Sequence, residues 1–261
     1  MSLLFWIIPF SLLGGLLSTL GASLLLLLSN ERLTRWMPGL VSLAIGALLA
    51  AAFVGLLPHA IEMVEGTQAV HKLGLTVLAG ILLFFTLEKM VLWRHSHDHD
   101  HGHGVSHQAG HKLSKGAVAA ILVGDAVHNV VDGLLIGAAF LADVHLGIMT
   151  SLAVAAHELP QEMGDFVILL HSGMRASRAL WLNLAASLTT VLGALLAYYS
   201  LSTDWLPYAL AIAAASFIYV AVADLIPSLQ RRTGLLTSVG ELSLIAVGVV
   251  AITLAHFNLH V

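Results

Sequence analysis

Histidine and carboxylate side chains recur at one-turn spacing in two neighbouring stretches of an otherwise apolar chain. The first reads Gly124-Asp125-Ala126-Val127-His128-Asn129-Val130-Val131-Asp132-Gly133 and the second His157-Glu158-Leu159-Pro160-Gln161-Glu162-Met163-Gly164-Asp165. On a helix His128 and Asp132 lie one turn apart on a shared face, and Asp125, Asn129 and Asp132 follow an i, i+4, i+7 stripe. Glu158, Glu162 and Asp165 repeat that spacing in the second stretch, with His157 and Gln161 alongside. Imidazole and carboxylate together suit a divalent transition ion. The chain has no cysteine, so thiolate sites and disulfides are excluded.

The elements that carry these stripes are set by composition. Of 261 residues 58% are hydrophobic and only 10% are Asp, Glu, Lys or Arg. An ordinary soluble domain carries about 25% charged residues, and a globule this apolar would expose large patches to water. Apolar runs at 3–28, 39–61, 73–93, 116–142, 146–170, 179–201, 205–229 and 239–257 each reach the roughly 20 residues a bilayer crossing needs. The sequence therefore predicts an all-α integral membrane protein with eight transmembrane helices, residues 1–261 forming a single membrane domain. The first run lacks the basic lead of a secretory signal and is expected to be retained. A net charge of −4 leaves no basic footprint for nucleic acid.

Basic residues orient the spans. Arg32, Arg35, Lys89, Arg94, Lys112, Lys115, Arg175, Arg178, Arg231 and Arg232 fall around odd-numbered connections, and only Lys72 falls on an even one. By the positive-inside rule the odd connections are cytoplasmic and both termini lie outside. The strings Leu56-Leu57-Pro58-His59 and Leu225-Ile226-Pro227-Ser228 are alike although their spans run in opposite directions, as an inverted repeat would leave them. Spans one to three and six to eight would then flank spans four and five in a 3+2+3 arrangement.

Energetics give the two stripes their meaning. An acidic residue at mid-helix costs about 2.5–3.5 kcal/mol on insertion scales, so Asp125, Asp132, Glu158, Glu162 and Asp165 would together cost on the order of 10 kcal/mol if nothing offset them. Neither span contains Lys or Arg between the polar positions. A divalent cation supplies two positive charges and accepts both ligand types. Pro160 cannot donate to the Ala156 carbonyl and is expected to disturb that turn, freeing backbone where it lines a cavity.

The pair His128-Asn129-x-x-Asp132-Gly133 and His157-Glu158-x-Pro160-x-Glu162 resembles the signature of the ZIP (Zrt/Irt-like) family of divalent metal transporters. The likeness continues into Met163-Gly164-Asp165-Phe166 and, more loosely, into Phe217-Ile218-Tyr219-Val220 and Ala223-Asp224-Leu225-Ile226-Pro227. The resemblance implies metal held between spans four and five, and movement of zinc or iron-like ions into the cytoplasm. By position, His128, Asp132, His157 and Gln161 would form a primary site, with Asn129, Glu158 and Glu162 forming or bordering an adjoining one. Gln161 stands where the nearest branch has His, which replaces a nitrogen donor by an amide oxygen. Ala51 and Gly55 stand where span two of the family often carries Asp and His, while His59 and Glu62 follow.

Seven of the 15 histidines, His95, His97, His99, His101, His103, His107 and His111, crowd the connection between spans three and four, with Asp98 and Asp100 among them. This tract, 95–111, cannot bury a core and is expected to be a cytoplasmic loop that receives or senses metal. Ligands must be deprotonated, so uptake should weaken as external pH falls through the imidazole range. Two rival readings follow from the same residues. An exporter would pair His and Asp similarly, but exporters of that kind typically have six spans and a cytoplasmic C-terminal domain. An intramembrane zinc metalloprotease would need His at the fifth position of H-E-x-x-H, where this chain has Gln161. The expectation is therefore a non-enzymatic uptake system, with no permanent cofactor and Zn2+ as transported substrate, ahead of Fe2+, Mn2+ and Co2+. Its expected partners are divalent ions and the lipid bilayer, with a homodimer left open, and its expected setting is a bacterial inner membrane.

Overall fold

The computed structural model describes residues 2–25, 30–97, 115–230 and 234–259. Among the described residues the regular structure is helical throughout, in eight rods. They are α1 (Leu4–Leu25), α2 (30–62), α3 (Thr67–His97), α4 (Lys115–Ala142), α5 (Val144–His171), α6 (Ala176–Ser200), α7 (Thr203–Gln230) and α8 (Leu235–Leu259). In the histidine tract His99, His101, His103, His107 and His111 lie outside the described residues, and His95 and His97 end α3. Seven rods are long and apolar enough to cross a membrane. The exception is α5, which is just as long but carries His157, Glu158, Gln161, Glu162 and Asp165. That composition is tolerable because α5 is packed among other helices, with residues from Leu146 to Leu169 buried along its length.

A single residue, Asp143, joins α4 to α5. Its backbone is extended, and its carboxylate accepts from the backbone N–H groups of His145 (2.8 Å) and Leu146 (3.0 Å). This is an N-cap that closes orphan donors at the start of α5. So short a link leaves α4 and α5 antiparallel and adjacent. At its other end α5 stops where Gly173 takes φ +88°. There Met174 N–H reaches Leu169 O, and Gly173 N–H reaches Leu170 O, a glycine-terminated helix end.

Two helix pairs approach too closely for side chains. A β-carbon at Gly133 of α4 would sit 1.9 Å from the Thr190 carbonyl oxygen, and one at Gly193 of α6 would sit 2.0 Å from that of Val130. Gly46 of α2 and Gly248 of α8 play the same part for the second pair. Small residues at such crossings let backbones meet by van der Waals contact where lipid supplies no hydrophobic drive. By contacts α1, α4, α5 and α6 form one group, while α2 packs on α8 and α3 on α7 in another; α5 also reaches across to α2.

Regular α-helix gives way to wider turns in three of the rods. Helix α5 runs unbroken through Pro160, whereas π segments occur at Leu13–Leu17, Ala51–Leu56 and Val220–Leu225. The last two end just before Pro58 and Pro227, which therefore share a local structure as well as a sequence string. A proline ring crowds the carbonyl four residues before it, and widening the preceding turn relieves that contact. Ala51 and Gly55 lie in the first of these π segments, and a β-carbon at Gly55 would meet the Met149 methyl at 1.9 Å. The space beside Gly55 is thus filled by Met149 and Leu146 of α5.

Candidate metal centre

One turn of α4 and the facing turn of α5 bring four side chains together. His128, Asp132, His157 and Glu158 each offer a ligand atom, all within 4.8 Å of one another. His157 Nε2 is 3.1 Å from Asp132 Oδ2 and 3.7 Å from Glu158 Oε1. His128 Nε2 is 3.4 Å from Glu158 Oε1 and 3.9 Å from Asp132 Oδ2. Four ligands at zinc's usual bond lengths of about 2.0–2.1 Å would sit about 3.3 Å apart in a tetrahedron. The four nitrogen–oxygen separations, 3.1–3.9 Å, bracket that spacing. Asp132, His157 and Glu158 are buried, and His128 is partly open.

The hydrogen-bond pattern orients one ring. His157 Nδ1 lies 3.2 Å from the Ala153 carbonyl oxygen, which can only accept, so Nδ1 carries hydrogen and Nε2 faces the carboxylates. Fixing one ring nitrogen on a backbone carbonyl is how ligating histidines are commonly held. No hydrogen bond satisfies His128 Nε2, Asp132 Oδ2, His157 Nε2 or either Glu158 oxygen. These unsatisfied nitrogen and carboxylate lone pairs, converging on one point, are the donor types a divalent ion takes.

Other residues from the two stripes have partners or surroundings of their own. Asn129 Nδ2 donates to Asp125 Oδ1 at 2.9 Å, while its Oδ1 accepts from Thr190 at 2.7 Å. Glu162 Oε1 accepts from Ser187 at 2.8 Å, and Ser187 pairs in turn with Thr19 of α1. Thr189 donates to the Ala126 carbonyl at 2.8 Å. Helix α6 thus presents three hydroxyls to the backs of α4 and α5, around a one-residue irregularity at Leu188. Gln161 and His128 both line a cavity of about 390 Å³ that also takes in Asp125, Asp165, Glu88 and Asp224. His59, on α2, pairs loosely with Glu62 at 4.0 Å and stands apart from the four-residue group.

Reading the stripes alone misses the α6 hydroxyls and the cavity wall from α3 and α7. The run Ser187-Leu188-Thr189-Thr190 is the available signal for the first, since clustered hydroxyls inside an apolar span bond across helices. Glu88 and Asp224 carry no spacing signal that links them. Only the packing of α3 on α7 places them on one cavity.

Comparison with known proteins completes this description. The family model described as ZIP zinc transporter matches residues 3–118 and 93–255. Mouse zinc transporter ZIP4 is 33% identical over 251 residues, covering 73% of this chain and 38% of its own length. Zinc transporter ZIP13 of Pongo abelii is 31% identical over 228 residues, covering 82% of this chain and 65% of its own. Zinc transporter zipt-7.2 of Caenorhabditis elegans is 31% identical over 258 residues, covering 80% and 56%. The chain thus spans well under half the length of the mouse relative. With signature residues on adjacent helices and matches across nearly its whole length, the chain belongs to the ZIP zinc transporter family.

Proposed function

We propose that this chain moves divalent transition ions, zinc foremost, across a membrane and into the cytoplasm through the space between α4 and α5. The observation that carries the reading is the convergence of two imidazoles and two carboxylates, whose facing Nε2 and carboxylate oxygen atoms lack hydrogen-bond partners, inside a bundle of membrane-length helices. His128, Asp132, His157 and Glu158 are assigned as the ligands that replace part of the ion's water. Gln161 offers an amide oxygen at the cavity edge. Asn129 and Glu162 are assigned to hold α4 and α5 against α6, because Asn129 Oδ1 and Glu162 Oε1 are engaged by Thr190 and Ser187. Mixed nitrogen and oxygen donors suit transfer, since a closed all-protein cage retains its metal.

Direction and topology belong to the same proposal. The cavity lies toward the ends of α3, α5 and α7 and the start of α4, on the side of Lys89, Arg175 and Arg178, which the positive-inside rule makes cytoplasmic. The shared π segment before Pro58 and Pro227 supports an inverted-repeat relation of α1–α3 to α6–α8 around α4 and α5. We further assign 1–261 to one membrane unit, with 95–111 a cytoplasmic metal-handling tract that begins on the last turn of α3. The names of the relatives support zinc over other ions.

The test is uptake of radioactive zinc by proteoliposomes holding the full chain, with His157→Ala alongside. Zinc should accumulate down its gradient with the unaltered protein, and His157→Ala should reduce that rate to the leak of empty vesicles. Vesicles that stay impermeable to zinc, iron(II), manganese(II) and cobalt(II), or full transport by His157→Ala, would overturn the assignment.

A further inference from the structure

A second cavity, of about 500 Å³, lies where α4 and α6 of one helix group meet α3 and α7 of the other. Its position follows from where the small residues are. Helices α4 and α6 close on each other at Gly133, Gly137 and Gly193, and α3 closes on α7 where a β-carbon at Gly80 would sit 2.7 Å from that of Ala215. Among the described residues no glycine contact joins α4 or α6 to α3 or α7. Larger apolar side chains meet along that seam and leave space between them.

The chemistry of the wall excludes most occupants. Ser200 is its one polar side chain among the described residues. An apolar cavity offers water no partners, and an empty one leaves its lining without dispersion contacts. The volume falls inside the roughly 300–1,000 Å³ of small-molecule pockets. All four helices are of membrane length, so the solvent beside them is hydrocarbon. The cavity is continuous with it. Leu83, Leu87, Leu134 and Leu196 at the rim are exposed, whereas Leu135, Ala138 and Ala197 on the floor are no more than 5% exposed.

One end is marked as polar. Ser200 closes α6, and the exposed Tyr199 and Trp205 flank the turn into α7. Tyrosine and tryptophan favour the headgroup level of a bilayer. Phe84 lines this cavity as well as the acidic one, and its ring stacks on Tyr219 at a centroid distance of 6.5 Å.

We propose that the seam is a binding site for one acyl chain of a membrane phospholipid, inserted past the rim leucines with its headgroup held near Ser200. The tail packs on both helix groups at once and reaches Phe84, one ring away from the acidic cavity. The site is for lipid and holds whichever ion the chain carries.

The test is native mass spectrometry of the full chain, taken from phosphatidylcholine nanodiscs and washed in detergent. The unaltered protein should retain one phosphatidylcholine per chain. Ala209→Trp, which adds an indole at the cavity wall, should retain none. Leu192→Trp, exposed on α6 outside the wall, should keep it. Phosphatidylcholine carrying a diazirine on its acyl chain locates the tail. Photolabel should fall on the floor residues Leu135, Ala138 or Ala197, which lipid around the bundle does not reach, and should be lost from them in Ala209→Trp. Should that variant fail to fold, Ser200→Trp at the exposed mouth makes the same comparison. A chain that retains no lipid, or lipid and floor label that persist in the folded variant, overturns the site. So does a dimer that the variant dissociates while label never reaches the floor, because a second copy then covers the seam.

Discussion

His157 Nε2 on α5 lies 3.1 Å from Asp132 Oδ2 on α4, with no hydrogen bond to satisfy either atom. Two residues 25 positions apart in the chain meet there because Asp143 turns α4 directly into α5. Asp132→Asn keeps the shape of this contact and removes its charge. Cobalt(II) affinity, read by visible absorption in nanodiscs, should fall at least about tenfold, and zinc uptake should fall with it.

Thr190 supports the centre from behind, by donating to Asn129 at 2.7 Å. Thr190→Val is nearly isosteric and removes only the hydroxyl. It should lower stability by about 1 kcal/mol, measured as thermal unfolding in detergent. Uptake should fall less than in Asp132→Asn, because no ligand atom is lost.

Gly193 and Gly133 set the distance between α6 and α4. A β-carbon at 193 would meet the Val130 carbonyl oxygen at 2.0 Å, and backbone cannot rotate away as a side chain can. Gly193→Ala should therefore cost about 1–3 kcal/mol. Gly124, where nothing lies within 4 Å, supplies the contrast: Gly124→Ala should leave the melting temperature unchanged or slightly raised, as the helix propensity of Ala favours.

Gln161 and His128 line the same cavity. Gln161→His adds a nitrogen donor there and should tighten zinc retention several-fold, since imidazole is a better zinc ligand than an amide. Equilibrium dialysis should show the tighter binding and proteoliposome efflux a slower release.

Pro58 follows the π segment Ala51–Leu56 and has no N–H to return to the Val54 carbonyl. Pro58→Ala restores the donor and should let that segment contract toward regular α-helix. Slower amide exchange over 51–58, measured by mass spectrometry, would report the change.

Much of this protein was legible before any fold was known. Eight apolar runs, the stripe of His128 and Asp132 and the stripe of His157 and Glu158 depend on composition and on the 3.6-residue period, both local properties of the chain. Helix ends were less legible. Helix α3 continues to His97 beyond its apolar run, because backbone hydrogen bonds persist where the hydrocarbon ends. Pro160 lies inside the continuous helix α5, and the π segments sit in α1, α2 and α7.

Spacing along one helix could place Asn129, Gln161 and Glu162 on the same face as the ligands, but could not say what stood opposite each. That was decided by the close approach of α6 through Gly133 and Gly193. It brings Ser187, Thr189 and Thr190 to the stripes and turns Asn129 and Glu162 toward hydroxyls. The acidic cavity is more remote still from the linear sequence, since Glu88, Asp125, Asp165 and Asp224 come from four helices. Periodicity fixes a residue's angle about its own axis, whereas its partner depends on the rotation and distance of every neighbouring helix, and those are properties of the packed bundle alone.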